Sequence, residues 1–419
     1  MEKVVLVGQG YVGLPLAMSA VEAGFDVVGL DLDRVRVKRL SVADSYVEDV
    51  AGDVLRRALD SGRYHPTDDF ADAAGFDVCV ITVPTPLRDG VPDLRHVEGA
   101  GTAIAPLIRP GCTVILESTT YPGTTEDLLR PLLEKGSGLC APEDFFLGYS
   151  PERIDPGNPV WGLSNTPKVV SGVDTPSLTR IRAFYDRLVE RTVAVSSPRT
   201  AELTKLFENT FRHINIALVN ELAIVAGQLG VDVREAIDAA ATKPFGFMPF
   251  APGPGVGGHC LPIDPSYLSW QAKRTIGHRF RFIELANDIN EAMPQYVVQR
   301  LVLGLNTRGK AVNGSRLLLL GLAYKKNVGD VRESPASVVA DLLVRLGAVV
   351  HAVEPYAGPE AVTGDGVTLV DATEAELVAA DAVVVLADHD CFDYSAIQRH
   401  SRYVFDTRNR CRGPNVEAL

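Results

Sequence analysis

Lys3-Val4-Val5-Leu6-Val7-Gly8-Gln9-Gly10-Tyr11-Val12-Gly13 opens the chain, and Asp26-Val27-Val28-Gly29-Leu30-Asp31 follows after a helix-like stretch that Gly24 closes. The first five residues read as a short strand rich in valine, and an acid ends the second strand 23 residues after Gly8. Each glycine has a physical use. Gly8 makes the turn, Gly10 lets the backbone approach a pyrophosphate, and Gly13 lets helix and strand pack closely. The helix that starts at Tyr11-Val12-Gly13 turns its partial positive end toward phosphates. Asp31 accepts hydrogen bonds from ribose hydroxyls and repels an added 2′-phosphate, which favours NAD over NADP. Strand, glycine turn, helix, strand and acid together predict a dinucleotide-binding unit.

Two further strands, 77–83 and 112–117, end at Pro84-Thr85-Pro86 and Glu117-Ser118-Thr119-Thr120-Tyr121-Pro122-Gly123. In a doubly wound sheet such carboxyl-end loops line the ligand crevice, although proline-rich loops are also ordinary turns. Gly148-Tyr149-Ser150-Pro151-Glu152-Arg153 and Pro156-Gly157 form another turn-rich segment, whose Glu152 reads by default as a surface charge. From Ser197 to Leu229 the apolar period changes: Leu203, Leu206, Phe207, Phe211, Ile214, Leu218, Leu222 and Val225 fall at helical spacing. Lys205 and Asn209, four apart, share a face of that helix, with Arg212 and His213 near it. A second long helix reads from Phe280 to about Leu305.

The last hundred residues repeat the opening in outline. Strand 316–320 runs into Gly321-Leu322-Ala323-Tyr324-Lys325-Lys326-Asn327, strand 348–353 ends at Glu354, and Ala380–Leu386 matches Gly75–Ile81. This predicts a second doubly wound unit without the glycine fingerprint. It offers instead Lys325, Lys326, Arg332 and, on what reads as the last strand, Arg408, as charges suited to phosphates. Between the two units lies Gly253-Pro254-Gly255-Val256-Gly257-Gly258-His259-Cys260-Leu261-Pro262-Ile263-Asp264-Pro265, a backbone-defined loop that presents one cysteine. Cys260 alone reads either as an inert packing residue or as a nucleophile.

The whole is read as α/β: two doubly wound, Rossmann-like parallel-sheet domains at 1–196 and 307–419, joined by a central helical domain at 197–306 that carries the cysteine loop. Net charge over 419 residues is −12, so the surface repels nucleic acid. The six cysteines (79, 112, 140, 260, 391, 411) show no metal-ligand spacing and no disulfide framework. The first strand starts at Lys3 and the apolar runs are short, so the expectation is a cytoplasmic protein with no membrane or metal partner. The long apolar-striped helix predicts a homodimer built on 197–229.

Taken in order, GQGYVG at 8–13, ESTTYPG at 117–123, SPER at 150–153, the Lys205/Asn209 helix, GPGVGGHCLPID at 253–264 and GLAYKKNVGDVRES at 321–334 resemble the UDP-glucose/GDP-mannose dehydrogenase family over nearly the whole chain. The resemblance implies a four-electron oxidation of the C6 alcohol of a nucleotide sugar, with NAD as cofactor. An aldehyde has no alkoxide to expel a second hydride. A nucleophile must therefore add first, and a Cys260 thiolate gives a thiohemiacetal and then a thioester that water hydrolyses. The resemblance assigns the oxyanion donors to Lys205 and Asn209, a bound water to Thr119 and Asp264, and acid/base work in hydrolysis to Glu152. It implies cofactor contacts at Gly8, Gly10, Tyr11, Val12, Gly13, Asp31, Arg36, Thr85, Thr119 and Arg332. It implies substrate contacts at Glu152, Lys205, Asn209, Gly257, Lys325 and Arg408. His259, Leu261–Pro265 and Thr242–Phe247 look more like the branch that acts on UDP-N-acetylhexosamines than like members acting on UDP-glucose or dTDP-glucose. His259 as a base for Cys260 is a weaker reading, since neighbours on a loop often point apart. A two-electron hydroxyacid-type dehydrogenase would not need Cys260 or the third domain. A non-catalytic nucleotide-sugar-binding protein would not need cysteine, lysine and asparagine together.

Overall fold

The computed structural model describes residues 2–47, 49–155, 158, 160–258, 261–358 and 366–419. His259, Cys260, Pro156 and Gly157 lie outside the described residues. The chain divides into two compact units, Met1–Glu208 with Trp270–Ile276, and Asn209–Ser269 with Gly277–Leu419.

In the first unit the strands are β1 (Lys3–Val7), β2 (Asp26–Leu30), β3 (Tyr64–Thr67), β4 (Val78–Ile81), β5 (Leu87–Arg88), β6 (Val91–Pro92), β7 (Thr113–Leu116), β8 (Phe146–Tyr149), β9 (Lys168–Gly172) and β10 (Thr192–Ala194). Eight of them form one sheet in the order β10-β9-β8-β7-β4-β1-β2-β3. Counting only its six parallel members from β3 inward gives the doubly wound order with β1 central. β9 then pairs antiparallel with β8, a reversal the sequence reading did not foresee. β1 shows why its run is apolar throughout. Val4 and Leu6 join one core cluster, Val5 and Val7 the other, so both faces are covered. β5 and β6 make a small hairpin whose Asp89-Gly90 turn has φ 53° and 72°, as a tight two-residue turn requires.

The second unit carries β11 (Arg316–Leu320), β12 (Val349–Val353), β13 (Val367–Leu369), β14 (Ala382–Val385), β15 (Val404–Asp406) and β16 (Val416–Ala418). All pair in parallel, in the order β13-β12-β11-β14-β15-β16. This is the order of the first sheet's parallel core, so the internal repeat is topological as well as sequential. Leu317 and Leu319 pack on one face, Leu318 and Leu320 on the other. Arg408 follows β15 instead of lying on the last strand, because the short β16 closes the sheet beyond it.

The helical reading is matched closely: one helix spans Pro198–Leu229 and another Arg281–Asn306. A further helix, Asp264–Ile276, follows the cysteine loop directly. No helix among the described residues is long and apolar enough to cross a membrane.

Candidate active site

The glycine turn sits at the carboxyl end of β1. Gly8 has φ 99°, and a Cβ there would fall 2.7 Å from Thr82 O. At Gly13 a Cβ would fall 1.8 Å from Gly8 O, so this helix start touches the turn directly. Gly10 differs: a Cβ there would meet no protein atom within 4 Å. Packing does not demand glycine at position 10, whereas a pyrophosphate lying against the backbone would. The Gly13–Glu22 helix has no side-chain cap, as suits an end that takes phosphate.

Asp31 is buried at the end of β2. Its Oδ2 accepts from the Gln9 N–H at 2.9 Å and its Oδ1 from the Asp33 N–H at 2.9 Å. Arg36 lies 3.5 Å from Asp31 and 3.6 Å from Asp33, and its guanidinium sits over the Tyr46 ring. Gln9, which the sequence reading passed over, is wholly buried. It takes the Tyr64 hydroxyl at 2.7 Å on its side-chain oxygen and the Tyr46 hydroxyl at 2.5 Å on its carbonyl. Uncapped helix, open glycine and buried acid together fit NAD. Thr85, buried, sits on the loop that leads into the β5–β6 hairpin.

Thr119 lies half-buried on the loop after β7, between two anchors. On one side Ser118 Oγ donates to Val83 O at 2.8 Å. On the other, the buried Glu202 accepts from the N–H groups of Gly123 and Thr125 at 2.5 and 2.9 Å and from the Thr125 hydroxyl at 2.7 Å. Burial pushes Glu202 up to about 7 against these donors. Lys205, nearly buried one turn further along the same helix, has no ion-pair partner among the described residues. Asn209 stands one more turn on.

Glu152 is not the surface charge its sequence context suggests. Its Oε1 accepts from the N–H groups of Arg153 and Ile154, both at 2.6 Å, and its Oε2 accepts from Lys168 Nζ at 3.1 Å. Lys168 also bonds Glu117, whose other oxygen takes the Tyr185 hydroxyl at 2.6 Å. Burial works to raise Glu152, but Lys168 and the Ile154 N–H hold it down at about 2, while burial pushes Glu117 up to about 7 against Lys168. Glu117 was visible in the sequence only as the first residue of its loop motif, and Lys168 and Tyr185 carried no signal, since a buried polar group is legible only once its neighbours are known. Arg153 turns to Glu208, at 2.7 Å.

In the second unit the glycine loop is fixed at close range. A Cβ on Gly257 would fall 2.5 Å from Glu333 O and 2.6 Å from Pro335 Cδ, and one on Gly258 would fall 2.8 Å from the Tyr324 ring. At the loop's start the Gly253 N–H donates to Asn220 Oδ1 at 2.9 Å. The Asn220 amide in turn donates to Asn290 Oδ1 at 2.9 Å, and His213 bonds Asn287 at 2.8 Å. Past the loop, Asp264 is buried as the first residue of its helix and accepts from Asn209 Nδ2 at 2.5 Å. Lys325 is half-buried on the loop after β11. Arg332 is exposed and held bidentately by Asp330 at 2.8 and 2.7 Å, and Lys326 lies 3.4 Å from Asp390. Arg408 donates from Nε to Leu386 O at 2.7 Å, and its Nη1 lies 2.7 Å from where a Gly253 Cβ would be. Burial lowers its pKa, with Asp388 opposing.

Residues 2–189 match the UDP-glucose/GDP-mannose dehydrogenase family, NAD binding domain; 199–292 match its central domain, and 318–413 its UDP binding domain. The chain belongs to the UDP-glucose/GDP-mannose dehydrogenase family. The UDP-N-acetyl-D-mannosamine dehydrogenase of Pyrococcus horikoshii is 35% identical over 99% of this chain and 97% of its own. The UDP-N-acetyl-D-glucosamine 6-dehydrogenase of Pseudomonas aeruginosa is 39% identical over 85% of this chain and 84% of its own. A solved structure of a UDP-D-ManNAc dehydrogenase from Pyrococcus horikoshii superposes with a TM-score of 0.90, at 33% identity, over 100% of this chain and 99% of that one. This dehydrogenase is accordingly an NAD-dependent oxidoreductase that converts a nucleotide sugar to its uronic acid.

Proposed function

We propose that the substrate is a UDP-N-acetylhexosamine, oxidised at C6 through a covalent adduct on Cys260. The observation that carries this reading is the fixed geometry on either side of that cysteine: Gly257 and Gly258 pressed against Glu333, Pro335 and Tyr324, and Asp264 bonded to Asn209 at 2.5 Å. A loop held at both ends costs little reordering when a nucleophile must meet a carbonyl in one orientation. Two NAD molecules, bound one after the other, would each accept one hydride. In the chain's own part, the Cys260 thiolate adds to the aldehyde carbon, and the Lys205 ammonium and Asn209 amide stabilise the oxyanion. Thr119 and Asp264 hold a water, and Glu152 takes a proton from the water that opens the thioester. Gly8, Gly10, Tyr11, Val12, Gly13, Asp31, Arg36, Thr85 and Arg332 hold the cofactor; Gly257, Lys325 and Arg408 hold the sugar nucleotide. Arg332 serves the cofactor only by exchanging its Asp330 partner.

The preference for an N-acetylated sugar is supported by Leu261–Pro265 and Thr242–Phe247 and by the relatives named above. We further propose the domain limits 1–196, 197–306 and 307–419, a cytoplasmic location and a homodimer. The location is supported by the five cysteines described, all unpaired. The homodimer is supported by the Pro198–Leu229 helix, which exposes Phe211, Leu218, Leu222, Val225 and Leu229.

The decisive assay counts NADH per sugar with UDP-N-acetylglucosamine, UDP-N-acetylmannosamine, UDP-glucose and dTDP-glucose in parallel. Two NADH with either N-acetylated sugar is the expected result, and two with UDP-glucose alone overturns the sugar assignment. Cys260→Ser is expected to abolish completion of the second oxidation. Full turnover by that variant removes the covalent route.

A further inference from the structure

The Glu117–Lys168–Glu152–Tyr185 cluster is unusual for its charge. Two carboxyls share one ammonium in a site where Glu117 and Lys168 are almost entirely buried, and only Glu152, with 12% of its side chain exposed, has an open edge. Burying ions costs several kcal/mol each unless they are paired, and one lysine compensates only one carboxylate. A structural ion pair would need Glu117 or Glu152, not both. The groups come from four separate segments. Glu117 directly follows β7, Glu152 follows β8, Lys168 begins β9, and Tyr185 ends the Thr175–Tyr185 helix. The Ser150 hydroxyl, beside this cluster, donates to Val169 O at 2.7 Å. The four therefore run from a buried tyrosine outward to a single carboxylate with access.

We propose that Lys168 and Glu117 are positioning residues of the hydrolytic step, Lys168 aiming the Glu152 carboxylate and Glu117 receiving the proton that Glu152 takes from water. The proposal rests on the reading of Glu152 given above. In the step, water oxygen bonds to the thioester carbonyl carbon, and the carbon–sulfur bond breaks with its electron pair going to Cys260 as thiolate. One water proton passes to Glu152 and on to Glu117; the other leaves from the carboxylic acid product to solvent. Lys168 contacts both carboxyls, so a proton moving from one to the other leaves the ammonium with a charged partner throughout. The Tyr185 hydroxyl donates to Glu117 and holds it in place. Glu117 is the deeper carboxyl, wholly buried beside the Tyr185 hydroxyl. Burial raises it while Lys168 and backbone N–H groups hold Glu152 down, so a proton on the pair rests on Glu117 and the transfer runs inward.

The test uses the full-length enzyme saturated with NAD and with the UDP-N-acetylhexosamine that supports turnover. Rapid-mixing traces separate the NADH formed in the first turnover from the steady state, between pH 6 and 9. Lys168→Met is expected to keep a first-turnover burst of two NADH per active site and to lose ~100-fold or more in the following steady-state rate. Lys168→Arg is expected to recover part of that loss. The parent enzyme is expected to show a rise in kcat with pH near neutrality, and Glu117→Gln, nearly isosteric, is expected to remove it. A burst and steady state that fall together in Lys168→Met, or a kcat–pH profile unchanged in Glu117→Gln, overturns the proposal. The Glu117→Gln profile decides alone if Lys168→Met does not fold. Glu152→Gln is run alongside. If its steady state equals that of the parent enzyme, the role given to Glu152 itself is wrong, a failure distinct from that of its two supports.

Discussion

Asp31 and Gly13 set the terms on which the first unit can hold a dinucleotide, and each lends itself to a single substitution. Asp31 already takes two backbone N–H groups, from Gln9 and Asp33, so its carboxylate is oriented before any ribose arrives. Asp31→Ala removes both that orientation and the ribose acceptor. At about 1–3 kcal/mol for leaving donors unpaired, NAD affinity should fall ~10- to 100-fold in a fluorescence titration. Gly13→Ala acts through sterics alone, because its Cβ would need space that Gly8 O occupies at 1.8 Å. The helix start must move, and the increase in Tm that NAD gives the parent enzyme should disappear. An unchanged NAD-dependent shift in Gly13→Ala would show that the turn relaxes without cost. These residues were legible in the sequence because each glycine and the acid carry a local constraint. Gln9 was not. Its value lies in Tyr46 and Tyr64, which are distant in sequence and which only the fold brings to it.

At the scale of elements, the helices 198–229 and 281–306 and the loop before Cys260 are joined by buried side chains that helical periodicity does not flag. Apolar spacing located both helices closely, since it marks one face of each, even where, as along most of the 198–229 stripe, that face is exposed in the single chain. Asn220 and Asn290 lie buried on those helices as polar groups, and a polar residue in a helical pattern reads as solvated until its partner is known. Removing the Asn220 amide leaves the Gly253 N–H without its acceptor. Asn220→Ala is expected to cost about 1–3 kcal/mol in urea unfolding and to raise KM for the sugar nucleotide more than KM for NAD. His213 sits on the same seam, and burial lowers its pKa, with the Asn287 bond opposing. A histidine whose folded pKa lies below its unfolded value stabilises the fold above about pH 6.5 and loses that contribution as pH falls through this range. Tm should therefore drop more steeply below pH 6.5 in the parent enzyme than in His213→Gln, and equal slopes would place the acid sensitivity elsewhere. The doubly wound order of both sheets was likewise readable, because apolar strands alternating with helices admit few topologies. The antiparallel β9 was not, because Lys168-Val169-Val170-Ser171-Gly172 has only two apolar side chains in a row although it lies inside the sheet, nor was β16, an edge strand of three residues.

The whole molecule poses a question of area. A helix of 32 residues would be about 48 Å long at 1.5 Å per residue, far longer than one core can cover. Phe211, Leu218, Leu222, Val225 and Leu229 recur at intervals of seven, four, three and four, which places them along one stripe, and all are exposed in the single chain. Contiguous apolar stripes of this kind are rare on proteins that work alone, and a self-complementary patch about a two-fold axis covers the stripe with its own copy. If a second copy lies along this helix, the protein sediments at twice its 45.1 kDa chain mass. Leu218→Lys with Leu222→Lys then places four like charges in the shared seam, and the sedimenting mass should fall toward that of one chain at micromolar concentration. The substituted positions are exposed, so the isolated fold should change by less than about 0.5 kcal/mol. Any further loss of thermal stability then reports the missing partner, and the parent enzyme's own Tm falls on dilution, as association by mass action requires. A parent enzyme that sediments at one chain mass with a Tm independent of concentration would remove the dimer, and a double variant that stays at twice the chain mass would remove the 198–229 helix as its seam.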